Sequence, residues 1–315
     1  MKTCKTFKFC FVFLTAQLFL INALTAQTAE EWFIKGNKYN EEQNYAKAIY
    51  YFTRAIELES NYVSAYNNRG IVYYNLKNYD KALEDFKKAV EIDPGNAESY
   101  YNRGLVYTNI KKYDDALNEL LKAIELKPDF GDAYFQYGLV YDYLGKNNDA
   151  IKYYTKAVGL IPDSAKVYYH RGNSYSELEE YNKAIEDYSK AILLDTGYAE
   201  AFNGRGYIYS VLEKYNDAIQ DYSKVLIINP YYAEAYNNRG IAYYLLENYS
   251  KAIEDYTKAI KLDPGYVDLY YNRGLANASI NKYEEAIKDW EKAIEINAAL
   301  ESELRPYIEK AKKKL

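Results

Sequence analysis

The chain has 315 residues, 49% of them hydrophobic and 41 of them tyrosine, which excludes a disordered chain. Its formal net charge is −5, and Lys2, Lys5 and Lys8 sit at the very start, so the remainder is more acidic still. That balance argues against nucleic acid and anionic membrane surfaces as partners. Cys4 and Cys10 are the two cysteines and His170 is the one histidine, so neither a disulfide framework nor a multi-histidine metal site is expected.

The first 26 residues have the anatomy of a secretory signal peptide. Three lysines precede a mostly apolar run over 9–24, and Leu24-Thr25-Ala26 offers small residues for cleavage. Export to a periplasm or the exterior is the expectation. The alternative is an uncleaved anchor that holds the protein at a membrane. Against it, the run is 16 residues long and contains Gln17 and Asn22, whereas a spanning helix needs about 20 predominantly apolar residues.

From residue 29 onward the chain repeats. Gly36, Gly70, Gly104, Gly138, Gly172, Gly206, Gly240 and Gly274 are each 34 residues apart. A fixed period of this size predicts a solenoid of stacked units, which overrides the length prior of about two domains. The units are 29–62, 63–96, 97–130, 131–164, 165–198, 199–232, 233–266 and 267–300. Each reads as two helices. In the seventh, Tyr236, Gly240, Tyr243 and Tyr244 share one helical face, and Ala252, Ile253, Tyr256, Ala259 and Ile260 share another. Asp263-Pro264-Gly265 stops the second helix. Asp80, Asp114, Asn148, Asn182, Asn216 and Ser250 are the expected caps of the second helices. The tail, 301–315, reads as a closing helix with Leu304, Ile308, Ala311 and Leu315 on its apolar stripe; Pro306 either starts its regular part or kinks it.

Tyr236, Gly240, Tyr243, Ala252, Tyr256, Ala259 and Pro264 stand at the offsets that mark the tetratricopeptide repeat, and the same pattern covers 29–300. The resemblance implies an all-α, right-handed superhelical solenoid of eight helix-turn-helix units plus a C-terminal capping helix. Some units depart from the pattern. The fourth carries Gly145 and Asn147, the fifth Asp195-Thr196-Gly197 in place of the proline turn, and the eighth Asn277 and Trp290 in place of tyrosines. Glycine on the first helix and alanine on the second are expected to let the two backbones approach closely.

The family usually has an aliphatic residue before the glycine, but six units here carry Arg69, Arg103, Arg171, Arg205, Arg239 and Arg273. Sixteen residues on, those units carry Asp85, Glu119, Asp187, Asp221, Asp255 and Asp289. The units without arginine have Lys35 with Tyr51 and Tyr137 with Tyr153. The matched acids favour structural ion pairs between the two helices of a unit over an arginine row that grips an acidic ligand.

The resemblance also implies that first helices build an inner, concave face that holds a peptide or a partner's helix. Two residues before the glycines stand Asn68, Asn102, Gln136, His170, Asn238 and Asn272. In this family asparagines at that offset can form a ladder along a peptide backbone, because a carboxamide both donates and accepts. The alternative is that these amides are solvated and idle. One residue earlier come Tyr101, Phe135, Tyr169 and Tyr271, expected to offer rings to peptide side chains. Asn237, Asn238 and Ile241 are the residues of the seventh unit expected to be free for a partner. The family's carboxylate clamp needs inner Lys and Arg, and only Lys166 with His170 approaches it. No catalytic set, cofactor site or phosphate loop is found, so the expectation is a non-enzymatic interaction scaffold with a protein or peptide partner, and with membrane contact only if the N-terminal segment is retained.

Overall fold

The structure is a computed structural model that describes residues 27–315; the expected signal segment lies outside them. Among the described residues every regular element is a helix, and none is long and apolar enough to cross a membrane. The described residues form two compact units, one ending at Val140 and the other spanning Tyr141–Leu315, with the division inside the first helix of the fourth repeat.

The first unit contains α1 (Ala29–Glu41), α2 (Tyr45–Leu58), α3 (Val63–Asn75), α4 (Tyr79–Ile92), α5 (Ala97–Asn109), α6 (Tyr113–Leu126) and most of α7 (Gly131–Tyr143). The second contains α8 (Asn147–Leu160), α9 (Ala165–Glu177), α10 (Tyr181–Leu194), α11 (Ala199–Val211), α12 (Tyr215–Ile228), α13 (Ala233–Leu245), α14 (Tyr249–Leu262), α15 (Val267–Ser279) and α16 (Tyr283–Ile296). A short 3-10 turn, Ala298–Leu300, leads into α17 (Glu301–Lys312). Within each unit, the two helices of a repeat pack on each other, and each second helix packs on the next repeat's first helix.

The core of a repeat is a glycine facing a large apolar side chain, a ring in most repeats and Leu120 in the third. Ala48, Ala82, Ala116, Ala150, Ala184, Ala218, Ala252 and Ala286 are fully buried. A Cβ on Gly240 would stand 2.7 Å from the Tyr256 ring, on Gly70 2.7 Å from Phe86, and on Gly274 2.4 Å from Trp290. The glycine makes room for the large side chain sixteen residues on, aromatic here but Leu120 opposite Gly104, where the Ala116 backbone oxygen also lies 3.5 Å from such a Cβ, as a close approach of the two helices requires.

The helix caps also differ from expectation. The second helices begin two residues earlier, so Asp80, Asp114, Asn148, Asn182, Asn216 and Ser250 lie inside them. The true caps are Asn44, Asn78 and Asn248, whose side chains accept from Lys47, Lys81 and Lys251 N–H, and elsewhere Lys112, Lys146, Glu180, Lys214 and Lys282, which make no such bond. The preceding residue turns the chain. Glu247 has φ +58, and Asn248 N–H bonds back to Tyr243 C=O at 2.8 Å, which closes the first helix with a left-handed residue. Gln43, Lys77, Lys111, Glu179, Glu213 and Asn281 do the same, and Gly145 has φ +68.

The turns that begin at Asp93, Asp195, Asn229 and Asp263 rest on an Asx bond. Asp263 Oδ1 accepts from Gly265 N–H at 3.1 Å, and Asp195 Oδ1 from Gly197 N–H at 2.8 Å, so the fifth repeat keeps the turn without proline. The closing helix α17 buries Leu304, Ile308 and Ala311 against Tyr270, Ile287 and Trp290 of the eighth repeat. Leu315 lies past the helix end and is exposed, contrary to its expected place on the stripe. Pro306 sits inside α17.

Candidate functional site: the amide row and the arginine seam

The arginine before each glycine leaves the first helix towards the second. Arg239 Nε and Nη2 donate to Asp255 Oδ2 and Oδ1 at 2.7 and 2.8 Å, a planar fork on a planar carboxylate. The same two-pronged geometry joins Arg69 to Asp85, Arg171 to Asp187, Arg205 to Asp221 and Arg273 to Asp289. The acids are nearly buried; Asp255 is 2% exposed. Burial pushes the carboxyls of Asp85, Asp187 and Asp221 up, against the hydrogen bonds and charge of their arginines.

Each of these arginines has a further partner that sequence reasoning missed. Nη1 donates backwards to the preceding repeat's second helix: Arg69 to Thr53, Arg171 to Thr155, Arg205 to Ser189, Arg239 to Ser223 and Arg273 to Thr257, at 2.8–3.1 Å. The signal was in the chain, since a hydroxyl stands sixteen residues before each of the five. Arg103 is the exception: Lys87 occupies that place, and its acid is the longer Glu119. Arg103 Nη2 meets Glu119 Oε1 at 2.5 Å, while Arg103 Nε and Glu119 Oε2 are buried without a hydrogen bond. Aromatic faces complete the sandwich, with the Arg239 guanidinium 5.7 Å from Tyr236 and 5.9 Å from Tyr243. Where arginine is missing, tyrosines stack instead: Tyr39 on Tyr51 at 5.1 Å and Tyr141 on Tyr153 at 5.5 Å.

The amide row lies one residue before the arginines. In the first unit Asn68, Asn102 and Gln136 are half-buried on α3, α5 and α7, and Asn68 Nδ2 donates to Asn37 Oδ1 at 2.7 Å. In the second unit His170, Asn238 and Asn272 are half-buried, and Asn272 Nδ2 donates to Asn237 Oδ1 at 3.4 Å. Asn237 itself is 4% exposed, so it is not free for a partner as expected. Its counterpart Asn67 is likewise buried, bonded to Ser99 Oγ at 2.8 Å. The one-residue offset turns these side chains into the seam with the next repeat. Burial, then the charge of Lys166, lowers His170 to about 4, so it is neutral at physiological pH.

The aromatic row turns the same way. Tyr101 packs on Phe130 at 4.9 Å and Tyr169 on Tyr198 at 5.0 Å, each half-buried between successive first helices. Burial, then Asp132, pushes the Tyr101 hydroxyl up to about 12. Phe135 is half-buried on α7, and Tyr271 packs against the cluster that α17 closes. The rings therefore shape the seams, while the half-exposed amides beside them retain donors and acceptors. Asn277 is buried and donates to Asp289 Oδ2 at 3.1 Å, which accounts for its place among tyrosines. No group of three His, Cys, Asp or Glu that could hold a metal ion occurs among the described residues.

Comparison with known proteins agrees with this geometry. A model described as "Tetratricopeptide repeat" matches 63–96, 165–197, 199–232, 233–266 and 267–298. Related models of the same description match 86–118 and 131–164, and one described as "TPR repeat" matches 36–77 and 106–142. No curated protein sequence matches the chain. Among solved structures it is similar to YrrB, described as a TPR protein with an unusual peptide-binding site, at 26% identity and TM-score 0.50 over 58% of this chain and 95% of that one. It is similar in fold to PilF of Pseudomonas aeruginosa, at 21% identity and TM-score 0.59 over 64% and 92%. A tetratricopeptide repeat protein from Parabacteroides merdae ATCC 43184 matches at 19% identity and TM-score 0.56 over 80% and 99%. The fold is one typical of protein–protein interaction, and the chain belongs to the tetratricopeptide repeat family.

Proposed function

We propose that this chain is a non-enzymatic, exported interaction scaffold that holds an extended peptide or a partner's helix along its first helices. The observation that carries the reading is the half-buried amide row, Asn68, Asn102 and Gln136 in one unit and Asn238 and Asn272 in the other. Amides at a fixed spacing can pair with a peptide backbone with little regard to its side chains. His170 continues the row as a neutral ring, and Tyr101, Phe135, Tyr169 and Tyr271 flank it. The peptide-binding site ascribed to YrrB supports the reading by likeness. Export rests on the lysines and apolar run of residues 1–26, whose retention would instead tether the scaffold to a membrane.

The test compares proteins recovered from the native compartment by the wild type and by the variant Asn68→Ala/Asn102→Ala/Asn238→Ala/Asn272→Ala. Loss of specific partners with unchanged helicity is the expected result. The same partners in equal amounts would remove the amide row from the site. Mass spectrometry of the N-terminus distinguishes export with cleavage, which starts the chain near Gln27, from tethering.

A further inference from the structure

The exposed faces of the second helices carry a repeating ion pair that fails from the fourth to the seventh repeat; in the seventh, Lys261 takes the acid's place and Lys258 pairs with Glu254 instead. In the second, third and eighth repeats a lysine meets a glutamate three residues on: Lys88–Glu91 and Lys122–Glu125 at 3.2 Å, and Lys292–Glu295 at 2.6 Å. Arg54 and Glu57 form the same pair in the first. In the fourth, fifth and sixth repeats the lysines persist as Lys156, Lys190 and Lys224, but the acid is replaced by Gly159, Leu193 and Ile227. These residues lie on α8, α10 and α12, all within the second unit.

The replacements are not hidden in a core. Leu193 is 72% and Ile227 73% exposed, and Tyr231, four residues past Ile227, is 79% exposed; these are the most exposed large apolar side chains among the described residues. A Cβ on Gly159 would meet nothing within 4 Å, so packing does not demand a glycine there. An i,i+3 pair on a helix shares one face, so each lysine stands beside the residue that displaced its partner. At equivalent positions one repeat apart, Leu193 and Ile227 thus form a repeat-spaced strip, each beside a lysine whose recurring carboxylate is missing.

We propose that this strip is a second docking surface, separate from the amide row, for an acidic amphipathic helix of a partner protein. The apolar face of such a helix covers Leu193, Ile227 and Tyr231, and its carboxylates replace the glutamates lost opposite Lys156, Lys190 and Lys224. Charge selects this occupant over a second copy of the chain: a two-fold contact would set the same lysine row against itself. A basic segment is disfavoured for the same reason.

The experiment titrates the protein with two synthetic helical peptides of equal apolar content, one with glutamates and one with lysines flanking a leucine face, read by fluorescence anisotropy. The acidic peptide is expected to bind at least about tenfold more tightly than the basic one, and to weaken about tenfold as salt rises from low to high ionic strength. Leu193→Glu/Ile227→Glu installs the pair found in the second, third and eighth repeats, so it is expected to leave the circular dichroism melt intact and to abolish binding. The Asn68→Ala/Asn102→Ala/Asn238→Ala/Asn272→Ala variant is expected to bind the acidic peptide as the wild type does. Binding that ignores the double glutamate variant, equal binding of both peptides, or no binding of either overturns the proposal. So does a sedimenting dimer that Leu193→Glu/Ile227→Glu converts to monomer, which would assign the strip to a second copy.

Discussion

Ser223 stands sixteen residues before Arg239 and one repeat earlier, and its Oγ accepts from Arg239 Nη1 at 2.9 Å. The remaining prongs of the same guanidinium hold Asp255, so a single side chain on α13 joins α12 behind it to α14 ahead. A solenoid is held only by contacts between neighbours. The arginine therefore couples the packing inside a repeat to the packing between repeats.

Removing one partner from this arrangement leaves a buried charge without its counter-charge. Asp255→Ala is expected to cost about 3 kcal/mol for that reason, and Ser223→Ala about 1 kcal/mol, the worth of one hydrogen bond. Arg239→Leu combined with Asp255→Ala should cost less than the two singles together, with a coupling of about 1–3 kcal/mol. Urea denaturation of the four proteins of the cycle measures it. Additivity of the two single changes would show that the contact contributes nothing.

The left-handed residue between the helices of a repeat offers a second test. Glu247 holds φ +58, a conformation that costs an L residue roughly 1 kcal/mol relative to glycine. Glu247→Gly is expected to raise stability by up to about 1 kcal/mol, partly offset by the added freedom of the unfolded chain. Gly145→Ala is the mirror experiment. A Cβ there meets nothing within 4 Å while φ is +68, so backbone strain alone sets its loss of about 1 kcal/mol. Thermal melts of both variants decide the matter, and a stable Gly145→Ala protein would contradict the account.

The period, the helix pairs and the Arg–acid spacing were all legible in the sequence, because each repeats with fixed chemistry. The left-handed turn was not, since Lys77, Glu213 and Glu247 are not residues that advertise such a conformation. Cap positions were misplaced by two residues for a related reason. Ser250 or Asp80 suits the first turn of a helix as well as its cap, while true caps such as Lys146 and Glu180 carry no side-chain signal. Asn237 was misread because a change of one residue along a helix turns a side chain by about 100°. That rotation separates the half-exposed Asn238 from a neighbour buried against the next repeat.

Gly240→Ala tests the ring that fills the seventh repeat. The new methyl would stand 2.7 Å from Tyr256 Cε1 and 3.0 Å from Cδ1, and Tyr256 is only 1% exposed. The ring has no open side to move into, so the expected cost is about 1–3 kcal/mol. Gly265→Ala serves as the control. Its Cβ meets only Asp263 Oδ1 at 3.5 Å, ordinary contact, and the change should stay within about 0.5 kcal/mol. Equal effects of the two substitutions would dismiss the steric explanation.

His170 makes the stability of the second unit depend on pH in a predictable direction. In the fold it takes up its proton only at about 4 rather than near 6.5, because burial disfavours the charge and Lys166 repels it. The unfolded chain is protonated first as pH falls, so below about 6.5 the unfolded state binds more protons and stability declines. The contribution is complete above that pH and is lost progressively down to about pH 4, for a total of about 3 kcal/mol. Carboxylates titrate in the lower part of this window too, so the measurement is the difference between wild type and His170→Gln in urea denaturation at a series of pH values. Glutamine is the natural replacement, since Gln136 fills the equivalent place one repeat earlier. The difference is expected to be flat above about pH 7 and to fall with pH in the wild type's disfavour. A histidine resonance titrating near its ordinary value, with no pH-dependent difference between the two proteins, would mean that the ring is solvated and remains available to a ligand as a cation.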